Sequence, residues 1–460
     1  MTDSISSRKD IHRRTYLVYF VMFMASATVL IRISYIQLAE GAAWKERANS
    51  QTTAYRDIEA VRGNIYTREG SLLATSIPIF EIRMDPNTEA LTDDVFYAHI
   101  DSLAYCLSKL EVGKSRAQWK QELTKARNSG ERFHLIKRKV RYRELKQIRQ
   151  FPIFRLGKYK GGLIVLQQNK RERPFRMLAA RTIGYERPNA KPVGLEGAYS
   201  KELSGVSGRQ LMKKIAGGVW MPMEDENGIE PEDGSDVITT ININFQDVAE
   251  HALLEKVKSN NADHGCAILM EVSTGEILAM ANLSRDGDND YYEYYNYAIG
   301  ESTEPGSTFK LASLVAALDD GMLKLTDSVD TEDGKTKYYD AVMSDSHKGG
   351  YGRISVKRAF EVSSNVGISK LIYRSYWKHP QQFIDRLYSM HLNEPTGIEI
   401  SGEGLPEIKS TSDKSWSGVT LPWMSIGYEV RLTPLQILTF YNAIANGGRM
   451  VRPRFVKEIR

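Results

Sequence analysis

The 460 residues predict an α+β protein hung from one N-terminal membrane anchor, and three observations carry that prediction. The chain opens on an uncharged apolar run over residues 16–31, behind a basic flank. Beyond it, stretches that alternate apolar and polar residues, the period of a half-buried strand, are interspersed with stretches at helical spacing. An acidic segment rich in Gly and Pro, residues 224–235, then divides the body. It separates an elongated mixed α/β pedestal over 39–235 from a second mixed domain over 236–460.

Composition excludes several classes. With 42% hydrophobic and 26% charged residues the chain can bury a large core, which disordered and collagenous sequences cannot. Lys and Arg number 62 against 57 Asp and Glu, a mild excess that does not by itself indicate a nucleic-acid protein, and no nucleic-acid partner is expected. Two cysteines, Cys106 and Cys266, exclude a disulfide-stapled scaffold and a four-cysteine zinc site. The histidines are scattered without an H-E-x-x-H pattern, so no metal and no cofactor is expected.

The anchor comes first. Arg8, Lys9, Arg13 and Arg14 precede the apolar run, and Ile33, Tyr35, Ile36 and Leu38 extend it past Arg32. That supplies the roughly 20 apolar positions a span needs, with the long Arg32 side chain reaching to the interface. The basic flank stays in the cytoplasm. The expectation is a cytoplasmic tail over 1–15, a transmembrane helix over 16–38 and a body outside the cytoplasm. Ala25-Ser26-Ala27 as a signal-peptide cleavage site, and a buried core helix, are the competing readings.

Next, Gly63-Asn64-Ile65-Tyr66 and Ile79-Phe80-Glu81-Ile82-Arg83-Met84 alternate between turn signals at Glu69-Gly70 and Asp85-Pro86, which predicts a hairpin. Over 94–149 the spacing of Leu103, Leu107 and Leu110 predicts polar-faced, peripheral helices. Seven basic residues crowd 137–149 against the single acid Glu144. Because Val140, Leu145 and Ile148 interleave with them, this run reads as the solvated face of a helix or strand; a site for anionic lipid or glycan is the rival.

After the divide, residues 237–241 read as β, 246–258 as a helix and 265–270 as a buried strand. Ser273-Thr274-Gly275-Glu276 turns that strand into 277–280, and a long loop over 284–305 follows. The loop ends in Glu304-Pro305-Gly306-Ser307-Thr308-Phe309-Lys310, and an apolar helix runs on through Leu311, Leu314, Val315 and Leu318 to Gly321. Ser307 therefore lies at a helix N-terminus, where free N–H groups favour a developing negative charge. Lys310 lies one turn on. A serine hydroxyl needs a base, and a lysine desolvated in a packed site can be neutral enough to serve. An N-cap serine with an incidental lysine would look the same. Ser363-Ser364-Asn365, between two predicted helices, offers a hydroxyl and an amide for a second wall, or an ordinary N-cap cluster.

Taken in order, these blocks resemble the class B penicillin-binding proteins, the membrane-anchored transpeptidases of bacterial cell-wall synthesis. The resemblance runs through Arg62-Gly63-Asn64-Ile65-Tyr66, Leu73-Ala74-Thr75-Ser76, Asp85-Pro86, Gly194-Leu195-Glu196 and Leu203-Ser204-Gly205 in the pedestal. It continues in Thr240-Ile241-Asn242 with Gln246, Thr274-Gly275-Glu276-Ile277-Leu278-Ala279-Met280 and Glu304-Pro305-Gly306-Ser307. Ser425-Ile426-Gly427-Tyr428, Thr433-Pro434-Leu435-Gln436 and Ala445-Asn446-Gly447-Gly448 resemble the division-specific branch.

The resemblance implies a penicillin-binding, serine β-lactamase-like transpeptidase domain over 236–460. Ser307 would be the nucleophile, Lys310 its base, Ser363 a proton relay and Asn365 a hydrogen-bonding partner of the substrate amide, with Gly306, Thr308 and Ser364 lining the substrate. The substrate would be the D-Ala-D-Ala end of a peptidoglycan stem peptide, and β-lactams would acylate the same serine. Partners would be a membrane glycan polymerase and other division proteins at the bacterial inner membrane. One element departs from the pattern: K-[ST]-G does not occur, since Lys335-Thr336-Lys337 lacks the glycine and precedes Ser363. The expectation is a transpeptidase domain truncated at its C-terminal end, and a catalytically silent division scaffold is the alternative that departure permits.

Overall fold

The computed structural model describes residues 3–110, 113–187, 189–215, 219–222, 228–287 and 290–460. Helix Asp3–Tyr35 passes through a π-turn, Ile36–Glu40, into helix Gly41–Thr52. At 1.5 Å per residue its positions 16–38 measure about 35 Å, enough for a hydrocarbon core of about 30 Å. The large apolar side chains from Tyr16 to Leu38 are exposed, so this is not a core helix. Among the described residues it is the one helix long and apolar enough to cross a membrane. The side chains of Arg8, Lys9 and Arg13 lie outside the described residues, as do 224–227 of the acidic segment.

Two compact units interleave along the chain: one comprises residues 1–59, 78–169 and 207–232, the other 60–77, 170–206 and 233–460. A pedestal over 39–235 divides the chain by order alone, whereas compactness places two of its segments with the C-terminal residues.

In the first unit, helices Asp93–Leu110 and Arg116–Asn128 bury Phe96, Ile100, Leu103, Leu107, Trp119 and Leu123. Ser115 caps the second with a capping box that includes Gln118. The helices expected over 94–149 are interrupted by a strand, His134–Val140, antiparallel to the end of Leu72–Met84 with Met84 opposite His134. Ile136 and Val140 are its buried positions. This region is the unit's own core, not a periphery. The basic run is split between that strand and helix Tyr142–Ile148. Val140, Leu145 and Ile148 point into the core as an apolar stripe, and Lys137 Nζ donates to Glu144 at 2.6 Å.

In the second unit, Val456–Ile459, Val237–Thr239, Ile65–Tyr66 and the start of Leu72–Met84 lie side by side in one sheet. Ile65–Tyr66 pairs in parallel with Val237–Thr239 and forms the expected hairpin with Leu72–Met84, Ile65 opposite Ala74. A second sheet joins His264–Met270, Ile277–Arg285 and the short Tyr291–Tyr292, so the long loop after residue 284 holds a third strand. Helix Ile243–Ser259 is keyed to that sheet through fully buried Gln246, whose Nε2 donates to the Met280 carbonyl at 2.9 Å and whose Oε1 accepts from the Met280 N–H at 2.8 Å.

The distant blocks of the second unit meet physically. Arg62 Nε donates to Glu196 Oε2 at 2.8 Å and Arg171 Nε to Glu196 Oε1 at 2.6 Å, around a carboxylate only 2% exposed. Between them, Gly63 N–H donates to the Leu203 carbonyl at 2.8 Å. A Cβ on Gly63 would lie 2.0 Å from the Ser235 carbonyl oxygen, so only glycine permits this approach.

Candidate active site

Residues Gly306–Phe309 form one 3-10 turn that leads directly into helix Lys310–Asp319. The helix is fixed by Ala312, Leu314, Ala316 and Ala317, all buried. Its register leaves Ser307 exposed at the N-terminal end and sends Lys310 inward, where it is 1% exposed. The turn is clamped from three sides. Gly306 N–H donates to the Gly427 carbonyl at 3.0 Å, Thr308 Oγ1 to the Pro305 carbonyl at 2.7 Å, and Tyr441 Oη to the Thr308 carbonyl at 2.9 Å. Gly427 sits at φ +90°, and a Cβ there would meet Gly306 O at 2.0 Å. The Ser425-Ile426-Gly427-Tyr428 block thus holds the backbone beside Ser307.

Lys310 joins this turn to the second wall. Its Nζ donates to the Ser363 carbonyl at 2.6 Å, to Ser363 Oγ at 3.0 Å and to Asn365 Oδ1 at 2.7 Å. An ammonium has three protons, and these three acceptors use them all. Burial nevertheless penalises the charge and lowers its pKa to about 8, against a smaller opposing pull from the Asp345 carboxylate. About a tenth of the lysine is therefore neutral at pH 7, against well under a thousandth at its ordinary pKa of 10.5, and loss of the proton frees a lone pair beside Ser363 Oγ.

The second wall is a helix start. Helix Asn365–Tyr376 is capped by Ser364, whose hydroxyl accepts from Gly367 N–H at 2.8 Å and donates to Asp345. Asp345 also accepts from Val366 N–H at 2.9 Å, and Asn365 Nδ2 donates to the Ser344 carbonyl at 2.9 Å. Ser363 is forced to φ +56°, a region that favours glycine, and in that conformation it presents both its carbonyl and its hydroxyl to Lys310.

The structure brings Lys310, Ser363 and Asn365 into direct contact, with Ser307 one helical turn from Lys310. Ser364 is 1% exposed and spends its hydroxyl on the cap, while Gly306 is half-buried in the turn before Ser307, with its N–H taken by the Gly427 carbonyl. Sequence reasoning missed Asp345. Its only signal is a carboxylate between two serines in a turn, at no fixed spacing from either motif.

The description "Penicillin binding protein transpeptidase domain" matches residues 265–460, and "Penicillin-binding Protein dimerisation domain" matches 57–191. The peptidoglycan D,D-transpeptidase FtsI of Buchnera aphidicola subsp. Schizaphis graminum is 25% identical over 453 residues, covering 95% of this chain and 74% of that protein. Penicillin Binding Protein 2X of Streptococcus thermophilus shares the fold at TM-score 0.71 and 22% identity, over 88% of this chain and 61% of that one. A chain of a peptidoglycan synthase complex, in a structure describing coordination of polymerization and crosslinking, aligns at TM-score 0.67 and 20% identity over 97% of this chain and 80% of its own. With both domains matched in this order behind an apolar N-terminal helix, the chain belongs to the class B penicillin-binding proteins.

Proposed function

We propose that this protein is a peptidoglycan D,D-transpeptidase of septal wall synthesis, working through an acyl-enzyme on Ser307. The observation that carries the reading is Lys310: buried, depressed to about 8, and held between the nucleophile helix and the 363–365 turn. Ser307 Oγ gives its proton to neutral Lys310 and attacks the carbonyl of the penultimate D-Ala. Negative charge develops on that oxygen at the helix N-terminus, where the Ser307 N–H is one donor. The peptide C–N bond breaks, Ser363 relays a proton to the departing D-Ala amine, and Asn365 orients the substrate amide. An amine from a second stem peptide then displaces Ser307 from the ester.

On this reading residues 1–15 are cytoplasmic, 16–38 span the inner membrane, and the pedestal and the domain over 236–460 face the periplasm. The likeness to a chain from a synthase complex supports a membrane glycan polymerase as partner. Fluorescent penicillin tests the centre of the proposal: the unaltered chain should be labelled and Ser307→Ala should not. Equal labelling of the two would overturn it.

A further inference from the structure

The basic run of the first unit has an outer side that the fold leaves uncovered. Lys137 is spent on Glu144 at 2.6 Å and Arg138 on Glu81 at 3.2 Å. Lys139, Arg141, Arg143, Lys146 and Arg149 are exposed, and among the described residues none of the five is paired with a carboxylate. Over 139–160 the one acid in the sequence is Glu144, already taken. Helix Tyr142–Ile148 turns Leu145 and Ile148 into the core. At i, i+4 and i+7, Tyr142, Lys146 and Arg149 share one outward face, with Arg143 beside them. Arg143–Lys146 and Lys146–Arg149 are like charges three residues apart, a spacing that costs an ordinary solvated helix stability. The chain goes on in further helical turns, Arg155 N–H donating to the Phe151 carbonyl at 2.9 Å, and Ile153 and Phe154 seat it in the same core. There Lys158 and Lys160, which also meet no carboxylate among the described residues, flank Tyr159. Large rings stand in water amid these charges: Tyr142 is 64% exposed and Tyr159 76%, with Leu156 at 42%.

We propose that this face lies on the surface of an anionic phospholipid bilayer, with its cations on lipid phosphates and its tyrosine rings at headgroup depth. The proposal rests on residues 16–38 spanning the membrane and is independent of the Ser307 acyl-enzyme. Continuity favours lipid over other polyanions, because the compact unit that carries the face also contains the apolar N-terminal helix. With that helix in the membrane the face meets lipid at the effective concentration of a tethered group, so contacts too weak to hold a free protein suffice. Long Lys and Arg stems reach phosphates while their methylenes cover apolar surface. Tyr suits the interface because its ring is apolar at one end and polar at the other. A soluble acidic polymer would use the cations but leave Leu156 and the exposed rings in water. The contact holds the first unit against the bilayer instead of letting it swing on its tether.

The experiment reconstitutes the full chain in nanodiscs of phosphatidylcholine, alone or mixed with an equal amount of phosphatidylglycerol, and follows amide hydrogen exchange over 139–160. Exchange should be slower in the anionic discs, on the order of tenfold, because lipid contact suppresses opening of this helix and the turns after it. At about 1 M salt, where the Debye length is about 3 Å, the difference should vanish. Arg143→Glu/Lys146→Glu/Arg149→Glu replaces exposed side chains only and should erase the difference at low salt, with no fall in Tm to show that the variant is folded. Arg143→Gln/Lys146→Gln/Arg149→Gln, which removes the charges without reversing them, should keep part of the slowing. Equal exchange in the two discs, or slowing that survives the charge reversal, would overturn the proposal. Slowing by purified peptidoglycan in phosphatidylcholine discs, with none from phosphatidylglycerol, would also overturn it and assign the face to an anionic glycan.

Discussion

Lys310 carries a proton balance that can be read directly. With its pKa lowered to about 8 by burial, only the deprotonated fraction would act as base in the proposed mechanism, so the second-order rate of acylation by penicillin should climb with pH and level off above about 8. Two pH units below that point the rate should be down by about 100-fold. Stopped-flow labelling between pH 6 and 9.5 checks it; a flat profile would remove Lys310 from the role. The serine and the lysine were legible because a helix start and its one-turn spacing are local. Asp345 was not, because a carboxylate reaches the Ser364 cap only once the turn after Ala341–Ser344 is folded against the start of helix Asn365–Tyr376.

At the scale of elements, the Arg62, Arg171 and Glu196 cluster joins three stretches of chain within the second unit. Burial holds the Arg171 pKa below its usual value, with Glu196 as the main opposing pull. Glu196→Ala removes the shared carboxylate from two partly buried guanidinium groups, leaving Arg62 its pair with Glu186 at 2.8 Å and Arg171 its bond to the Gly63 carbonyl at 2.7 Å. It should destabilise the fold by about 3 kcal/mol, the low end for a broken buried pair, whereas Glu196→Gln, which keeps one acceptor, should lose less. Urea titrations of both variants settle the order; equal losses would mean that packing, and not the charge, matters at this point. Here the sequence was informative in an unusual way. Arg62-Gly63-Asn64, Gly194-Leu195-Glu196 and Leu203-Ser204-Gly205 could be quoted as separate blocks, yet nothing in them says that Arg62 meets Glu196 or that Gly63 meets Leu203. The strand over His134–Val140 was hidden for a related reason: its alternation of Ile136 and Val140 is masked by basic residues, and its identity is supplied by the partner strand.

For the whole molecule, two buried groups set opposite slopes of stability against pH. Burial, and then the neighbouring Glu250 charge, push Glu293 up to about 8 from 4.5. The folded state thus keeps a proton that the unfolded chain has released, so this contribution is full below 4.5 and is lost as pH rises to 8. Lys310 runs the other way. The unfolded chain binds a proton that the folded state lacks between 8 and 10.5, a rise that Cys266, pushed by burial from 9 up to about 11, offsets from pH 9 upward, so stability recovers between 8 and 9. The two groups together predict a minimum in Tm near pH 8. Glu293→Gln should flatten the lower limb and Lys310→Met the upper one, read by thermal scans from pH 5 to 10; a Glu293→Gln variant with the unaltered slope would contradict the first half. Fold class and the apolar N-terminal helix were legible at this scale, since periodicity and an uncharged run survive without tertiary information. The interleaving of the units was not, because it depends on pairings between residues far apart in the chain.

That interleaving has a consequence in time. The sheet that places Val456–Ile459 next to Val237–Thr239 also contains Ile65–Tyr66, so its outer strand is made about 390 residues after an inner one. At 5 to 20 residues per second, a ribosome needs roughly 20 to 80 s to cover that interval. Within that time Ile65–Tyr66 waits about 170 residues for Val237–Thr239 to cover its edge, Arg62 waits about 134 for Glu196, and Val237–Thr239 then keeps an open edge until Val456–Ile459 is made. A nascent chain of this design bares a strand edge twice, and those are the intervals in which a holding chaperone would have the most to protect.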